Sequence, residues 1–115
     1  MIKCICIEDS GRPPEIPKSM WCILEQEYHL THIYKMALQG NILGCSIYEL
    51  PLDESCAPYE MFKMSRFAFN INDLQKIKEL ASLCAELDGL NIDELIEEQL
   101  EVAQDNIIEK CQPTT

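Results

Sequence analysis

Arg66-Phe67-Ala68-Phe69-Asn70-Ile71-Asn72-Asp73-Leu74 is the stretch in which the spacing of apolar residues changes. Up to Phe69 apolar and polar residues tend to alternate, the period of a strand with two unlike faces. From Leu74 onward Leu74, Ile77, Leu80, Cys84 and Leu87 recur every three or four positions, the period of one helix face. The chain therefore reads as α+β, with strands over residues 1–69 and an acidic helical tail over 70–115.

Toward the N-terminus, Ile42 to Leu50 sets Leu43, Cys45 and Ile47 against Ile42, Gly44, Ser46 and Tyr48. Tyr28, Leu30, His32 and Tyr34 alternate with His29, Thr31, Ile33 and Lys35, and Gln39-Gly40-Asn41 supplies a hairpin turn between the two runs. Trp21 to Ile23 reads as a strand ahead of the polar break Glu25-Gln26-Glu27. Ile2 to Ile7 is β-branched and Cys-rich on both faces, which predicts a strand covered on both sides. Between these lies Asp9 to Pro17, where Pro13, Pro14 and Pro17 remove amide donors and force a loop. Pro51 to Pro58 is a second loop, Tyr59 to Met64 reads as one helical turn, and Arg66 to Phe69 is the last strand. Five short strands in this order predict a small five-stranded antiparallel β-barrel, because closure removes the unpaired edges a flat sheet would leave.

Toward the C-terminus the pattern predicts a two-helix hairpin. The first helix runs from Asn72 to Leu87, with Asn70 and Asn72 as caps and Gly89 just past its end. The second runs from Asn91 to Lys110, with Asp93 and Glu94 in the first turn, where the helix dipole favours acids. Its stripe of Ile92, Leu95, Ile96, Leu100, Ala103 and Ile107 must be buried against the barrel or a second copy of the chain. Ile92, Leu95, Ile96, Leu100 and Ile107 are accordingly the candidate dimer interface.

A length of 115 residues suits one hydrophobic core. The net charge is −11, and it is uneven: six Lys/Arg oppose nine Asp/Glu up to Phe69, whereas three oppose eleven afterwards. Such a surface repels phosphate backbones, which argues against direct binding of nucleic acid. No run of apolar residues is long enough to cross a membrane, and no basic segment followed by an apolar run opens the chain. Seven cysteines, an odd number, with no export signal imply reduced thiols in the cytoplasm.

Few residue constellations suggest chemistry. No Cys-x-x-Cys knuckle is present, so Cys4, Cys6, Cys45 and Cys84 read as small buried hydrophobes, and neither a metal nor another cofactor is expected. Cys22 and Cys56 lie nearest to loops and would be the nucleophiles of a thiol-dependent enzyme, with His29 or His32 as base, but neither sits in a recognisable signature. Glu94, Glu97, Glu98 and Glu101 form one helix face that solvent should cover. The scattered glycines make no phosphate loop. Aromatic residues are the remaining feature: Trp21, Tyr28, Tyr48, Tyr59 and Phe62 are candidates for a groove that takes a peptide or an extended partner segment.

Lys3-Cys4-Ile5, Ser10-Gly11, Tyr28-His29-Leu30, Glu49-Leu50, Pro58-Tyr59 and Arg66-Phe67 together resemble a group of short bacterial and bacteriophage proteins similar to Src-homology-3-like small β-barrels. The resemblance covers residues 2–69, and the helical tail has no counterpart in it. It implies a barrel and a bacterial or phage origin, and it carries no activity over. The expected function is a non-enzymatic protein-binding or adaptor module. The alternatives are an acidic inhibitor that mimics nucleic acid on a basic protein, and a thiol-dependent enzyme.

Overall fold

The computed structural model describes residues 1–36 and 40–103. Six strands form one open mixed sheet: β1 (Ile2–Cys6), β2 (Glu27–Lys35), β3 (Leu43–Ile47), β4 (Phe62–Lys63), β5 (Phe67–Asn70) and β6 (Glu101–Ala103). Their spatial order is β4-β3-β2-β1-β5-β6. All neighbours are antiparallel except β5 and β6, which run parallel with Phe69 opposite Val102. Two helices, α1 (Leu74–Ser82) and α2 (Ile92–Gln99), separate those two strands in sequence.

Register explains which side is buried. Cys4 pairs with Tyr28 and Phe69, Ile2 with Leu30, and Cys6 with Phe67. These side chains share one face and join Ile77, Ala81, Leu87, Leu95, Ile96 and Leu100 of the helical half in a single core. The opposite face carries Lys3, Glu27 and His29. Within β2 the register shifts between Leu30 and His32, so Thr31 is an extra residue, and its Oγ1 donates to the Ser46 carbonyl at 3.3 Å.

The sheet is open, which corrects the expected barrel. Closure was inferred from the need to hide edges, but here α1 and α2 cover the apolar face, so the sheet need not curl onto itself to bury it. Its edge strands are very short instead, two residues in β4 and three in β6. Trp21 to Ile23 forms no strand. The Lys18–Met20 turn precedes it, Gln26 N donates to Ile23 O at 3.1 Å, and Glu25 takes φ +69° to close a tight turn. Phe62–Lys63, expected within a helical turn, is β4, with Phe62 opposite Cys45.

The tail is also rearranged. The first helix ends at Ser82, and a separate turn over Ala85–Leu87 follows. Asn91 caps α2, its side chain accepting from Glu94 N at 3.1 Å, but the helix stops at Gln99 rather than running to Lys110. Leu100 is extended, with φ −100° and ψ 139°, and Val102 enters the sheet beside Phe69. The apolar positions that matched a helical stripe thus serve two elements. Gln99 locks the junction: its Nε2 donates to Asn41 O at 2.6 Å and its Oε1 accepts from Leu43 N at 2.7 Å.

Candidate functional site

The residues with the most unusual surroundings meet where β1 ends and β5 begins. Ile7 N and Glu8 N both donate to Arg66 O, at 2.8 and 3.3 Å, which ties the departing chain to the residue before β5. The Arg66 guanidinium returns across the same gap and donates to Glu8 O at 3.3 Å and Ser10 O at 2.7 Å. It also lies 4.7 Å from the centre of the Trp21 ring, within cation–π range. Trp21 Nε1 donates to Asp9 O at 2.7 Å. One arginine and one tryptophan therefore hold the loop Glu8 to Ser10 through three of its carbonyls.

Two thiols lie beneath that loop. Cys6 Sγ and Cys22 Sγ point at the same acceptor, Glu8 O, at 3.6 and 3.8 Å. Both residues are buried. The two thiols thus lie side by side under one carbonyl. The neighbouring Cys22 thiol, with help from the Glu8 backbone and the Arg66 charge, holds the Cys6 thiol below its ordinary range despite desolvation and Asp9. The Cys6 thiol beside it and burial push Cys22 far up.

A polar cluster occupies the outer face of the sheet. His29 Nδ1 meets Glu49 Oε2, and Glu49 Oε1 accepts from His29 N at 2.9 Å. On the other side of the ring, His29 Nε2 is 3.8 Å from Glu27 Oε1, which also pairs with Lys3 at 3.7 Å. Desolvation works against the Glu49 carboxylate, but its hydrogen bonds from His29 prevail and hold it below the usual range.

The aromatic candidates do not converge on one groove. Tyr28 and Phe62 are core residues, and Phe67 meets both rings edge-on at 6.0 and 6.1 Å. Trp21 is half-buried and reaches Phe62 at 5.5 Å. Tyr48 and Tyr59 are exposed, and among the described residues no ring contact joins them to this chain. Of the residues expected at a dimer interface, Leu95, Ile96 and Leu100 lie in the chain's own core, Ile92 is half-buried against it, and Ile107 lies outside the described residues. The thiol partners expected for catalysis also differ. Cys22 faces Cys6, and the two imidazoles take Glu27, Glu49, Thr31 and Tyr34 as neighbours.

Two adjoining clefts form a groove between β2 and α1. One, of about 660 Å³, is lined among others by Met1, Leu30, Leu80 and Leu83. The other, of about 180 Å³, is lined by His32, Ile33, Tyr34, Leu80, Leu83 and Cys84. Leu83 belongs to both and is 80% exposed. The sequence pattern places no function on this residue, which lies outside the stripe of Leu74, Ile77, Leu80, Cys84 and Leu87.

Comparisons with protein-family models, curated proteins and solved structures return no match, so the resemblance to Src-homology-3-like barrels gains no support from them. Among the described residues no helix is long and apolar enough to cross a membrane, and no three His, Cys, Asp or Glu side chains gather as a metal site would require.

Proposed function

We propose that the chain is a non-enzymatic protein-binding module and that the groove between β2 and α1 receives an apolar segment of its partner. The observation that supports this reading is Leu83, a large apolar side chain held in water between two clefts whose walls are Leu30, Ile33 and Leu80. Apolar surface gathered in this way, rather than scattered singly, marks interaction sites. The stacked rings of His32 and Tyr34, 6.0 Å apart, give one end of the groove a polar rim, and Lys76 and Glu79 give the other. In this reading the module works in a bacterial or phage-infected cytoplasm with its thiols reduced.

The test is cross-linking and affinity purification from the native cell with the wild type, Leu83→Asp and Leu24→Asp, the last being an exposed apolar control away from the groove. A partner lost with Leu83→Asp and kept with Leu24→Asp supports the reading. A partner indifferent to Leu83→Asp refutes it.

A second reading, a module for a basic partner, draws on the acidic surface of α2 and the start of β6, which the sequence pattern places on one helix face. Glu94, Glu97, Glu98 and Glu101 are exposed, and among the described residues no salt bridge engages them, while neighbouring Asp93 pairs with Lys78 at 3.0 Å. Binding through that face would weaken steeply with salt and with Glu94→Gln and Glu98→Gln, neither of which touches Leu83.

A further inference from the structure

Six of the seven cysteines lie among the described residues, and all six are free thiols. Four of them differ in what surrounds the sulfur. Cys4 and Cys45 sit in strand centres, and burial pushes both thiols up, away from the reactive thiolate form. Cys4 donates to Tyr28 O at 3.6 Å and is committed to the sheet interior. Cys6 and Cys22 differ because each has the other as a neighbour and both converge on one carbonyl. The segment that carries Cys22 is stitched to the end of β1 just past Cys22, by Cys6 N to Gln26 O at 3.0 Å and Glu25 N to Cys6 O at 2.7 Å. That segment contains neither helix nor strand, so Cys22 can move toward Cys6 without breaking a ladder.

We propose that Cys6 and Cys22 are a redox pair that closes to an intramolecular disulfide when the oxidant is hydrogen peroxide. The Cys6 thiolate attacks one peroxide oxygen, the O–O bond breaks, and the departing hydroxide takes a proton to leave as water. Cys6 is then a sulfenic acid. The Cys22 sulfur displaces its oxygen, an S–S bond forms, and the Cys22 proton leaves with that oxygen as a second water. Two thiols are oxidised and one peroxide is reduced to two waters, so the step needs no other reactant.

Position supports these roles. The Arg66 guanidinium shares the Glu8 carbonyl with both thiols and favours negative charge at Cys6. Glu8, whose carbonyl is the shared acceptor, is exposed, so a molecule as small as peroxide has a short path to the thiols. Closing the bond withdraws both S–H donors from Glu8 O, and Trp21, next to Cys22 in sequence and bonded to Asp9, must adjust with it. The pair is thus coupled to the loop that Arg66 and Trp21 hold, and it is independent of the groove at Leu83.

The experiment treats the full chain with hydrogen peroxide, blocks remaining thiols with N-ethylmaleimide and maps peptides without reductant, using fragmentation to separate Cys4 from Cys6. The expected result is a peptide joined through Cys6 and Cys22, a thiol titre lower by two per chain, and a change in Trp21 emission, all reversed by dithiothreitol. In Cys22→Ser the joined peptide is lost and Cys6 goes on to sulfinic acid. If that variant does not fold, the wild-type map decides alone. A disulfide through any other pair, sulfinic acid at Cys6 of the wild type, or Cys6 and Cys22 reacting no faster than Cys84 would overturn the proposal.

Discussion

Replacing Arg66 by Met keeps an unbranched side chain against Trp21 and deletes the guanidinium, which isolates the polar work of the residue. The structure assigns three interactions to that group: hydrogen bonds to Glu8 O at 3.3 Å and Ser10 O at 2.7 Å, and the Trp21 ring at 4.7 Å. Both acceptors are exposed, so water replaces part of each bond, and each contributes about 0.5 to 1 kcal/mol. The ring contact adds about 0.5 kcal/mol at a partly exposed site. The expected loss is about 2 kcal/mol, which lowers the melting temperature of a domain this size by about 8 °C. Urea unfolding followed by Trp21 fluorescence and by far-ultraviolet circular dichroism checks it, since Trp21 is the sole tryptophan. Arg66→Lys, which keeps the charge and one donor, should recover about half of the loss. If Arg66→Met unfolds within about 0.5 kcal/mol of the wild type, the corner is not held by the guanidinium and the reasoning fails.

Other substitutions probe the sheet and its junctions. A β-carbon at Gly44 would lie 2.5 Å from Met61 Sδ and 2.9 Å from Met36 Cγ, both in flexible side chains, so Gly44→Ala should cost about 1 kcal/mol in chemical denaturation. Gln99→Glu keeps the acceptor for Leu43 N but turns a carboxylate toward Asn41 O; it should cost about 1 to 2 kcal/mol at neutral pH. The new carboxyl titrates above its unfolded value, so urea midpoints of that variant should approach the wild type as the pH falls below about 4. Glu49 behaves in the opposite sense. Its folded pKa is depressed, so its contribution is present above the unfolded value near about 4.3 and is lost as acid protonates it in the fold. Wild type should therefore lose its stability advantage over Glu49→Gln as the pH falls from about 5 through the depressed folded pKa.

Strand alternation exposed β1, β2 and β3 because each has enough residues to show a period of two, and their antiparallel order followed from short connections. β4 was hidden by its length, since two residues, Phe62 and Lys63, carry no period. β6 was hidden by a coincidence: Leu95, Ile96 and Leu100 fit a continuing helix stripe, and only tertiary pairing with Phe69 shows that the chain turns extended at Leu100. The barrel failed for a related reason. The tail reads as an addition to a closed unit, whereas it supplies six of the twenty-one buried residues of the core that covers the sheet face. At the site, Cys6, Cys22 and Arg66 were all visible as residues, but what unites them is the Glu8 carbonyl, and a backbone acceptor leaves no mark in sequence.

Cys4 and Cys6 occupy the same face of the same strand two residues apart, yet their thiols shift in opposite directions. Residue type cannot account for that; both side chains are enclosed, but desolvation dominates at Cys4 and is outweighed by neighbouring groups at Cys6. The difference is position along the ladder. Cys4 is flanked by Tyr28 and Phe69 in the middle of the ladder, where burial disfavours a charge on its sulfur. Cys6 is the last residue of β1, where pairing with β2 gives way to a loop and the sulfur meets a second thiol, a carbonyl that both thiols share and the field of an arginine. A strand end beside a held loop is therefore the place in this fold where a buried cysteine can keep thiolate character, and rupture of the Arg66 contacts should raise the Cys6 pKa while leaving Cys4 unchanged.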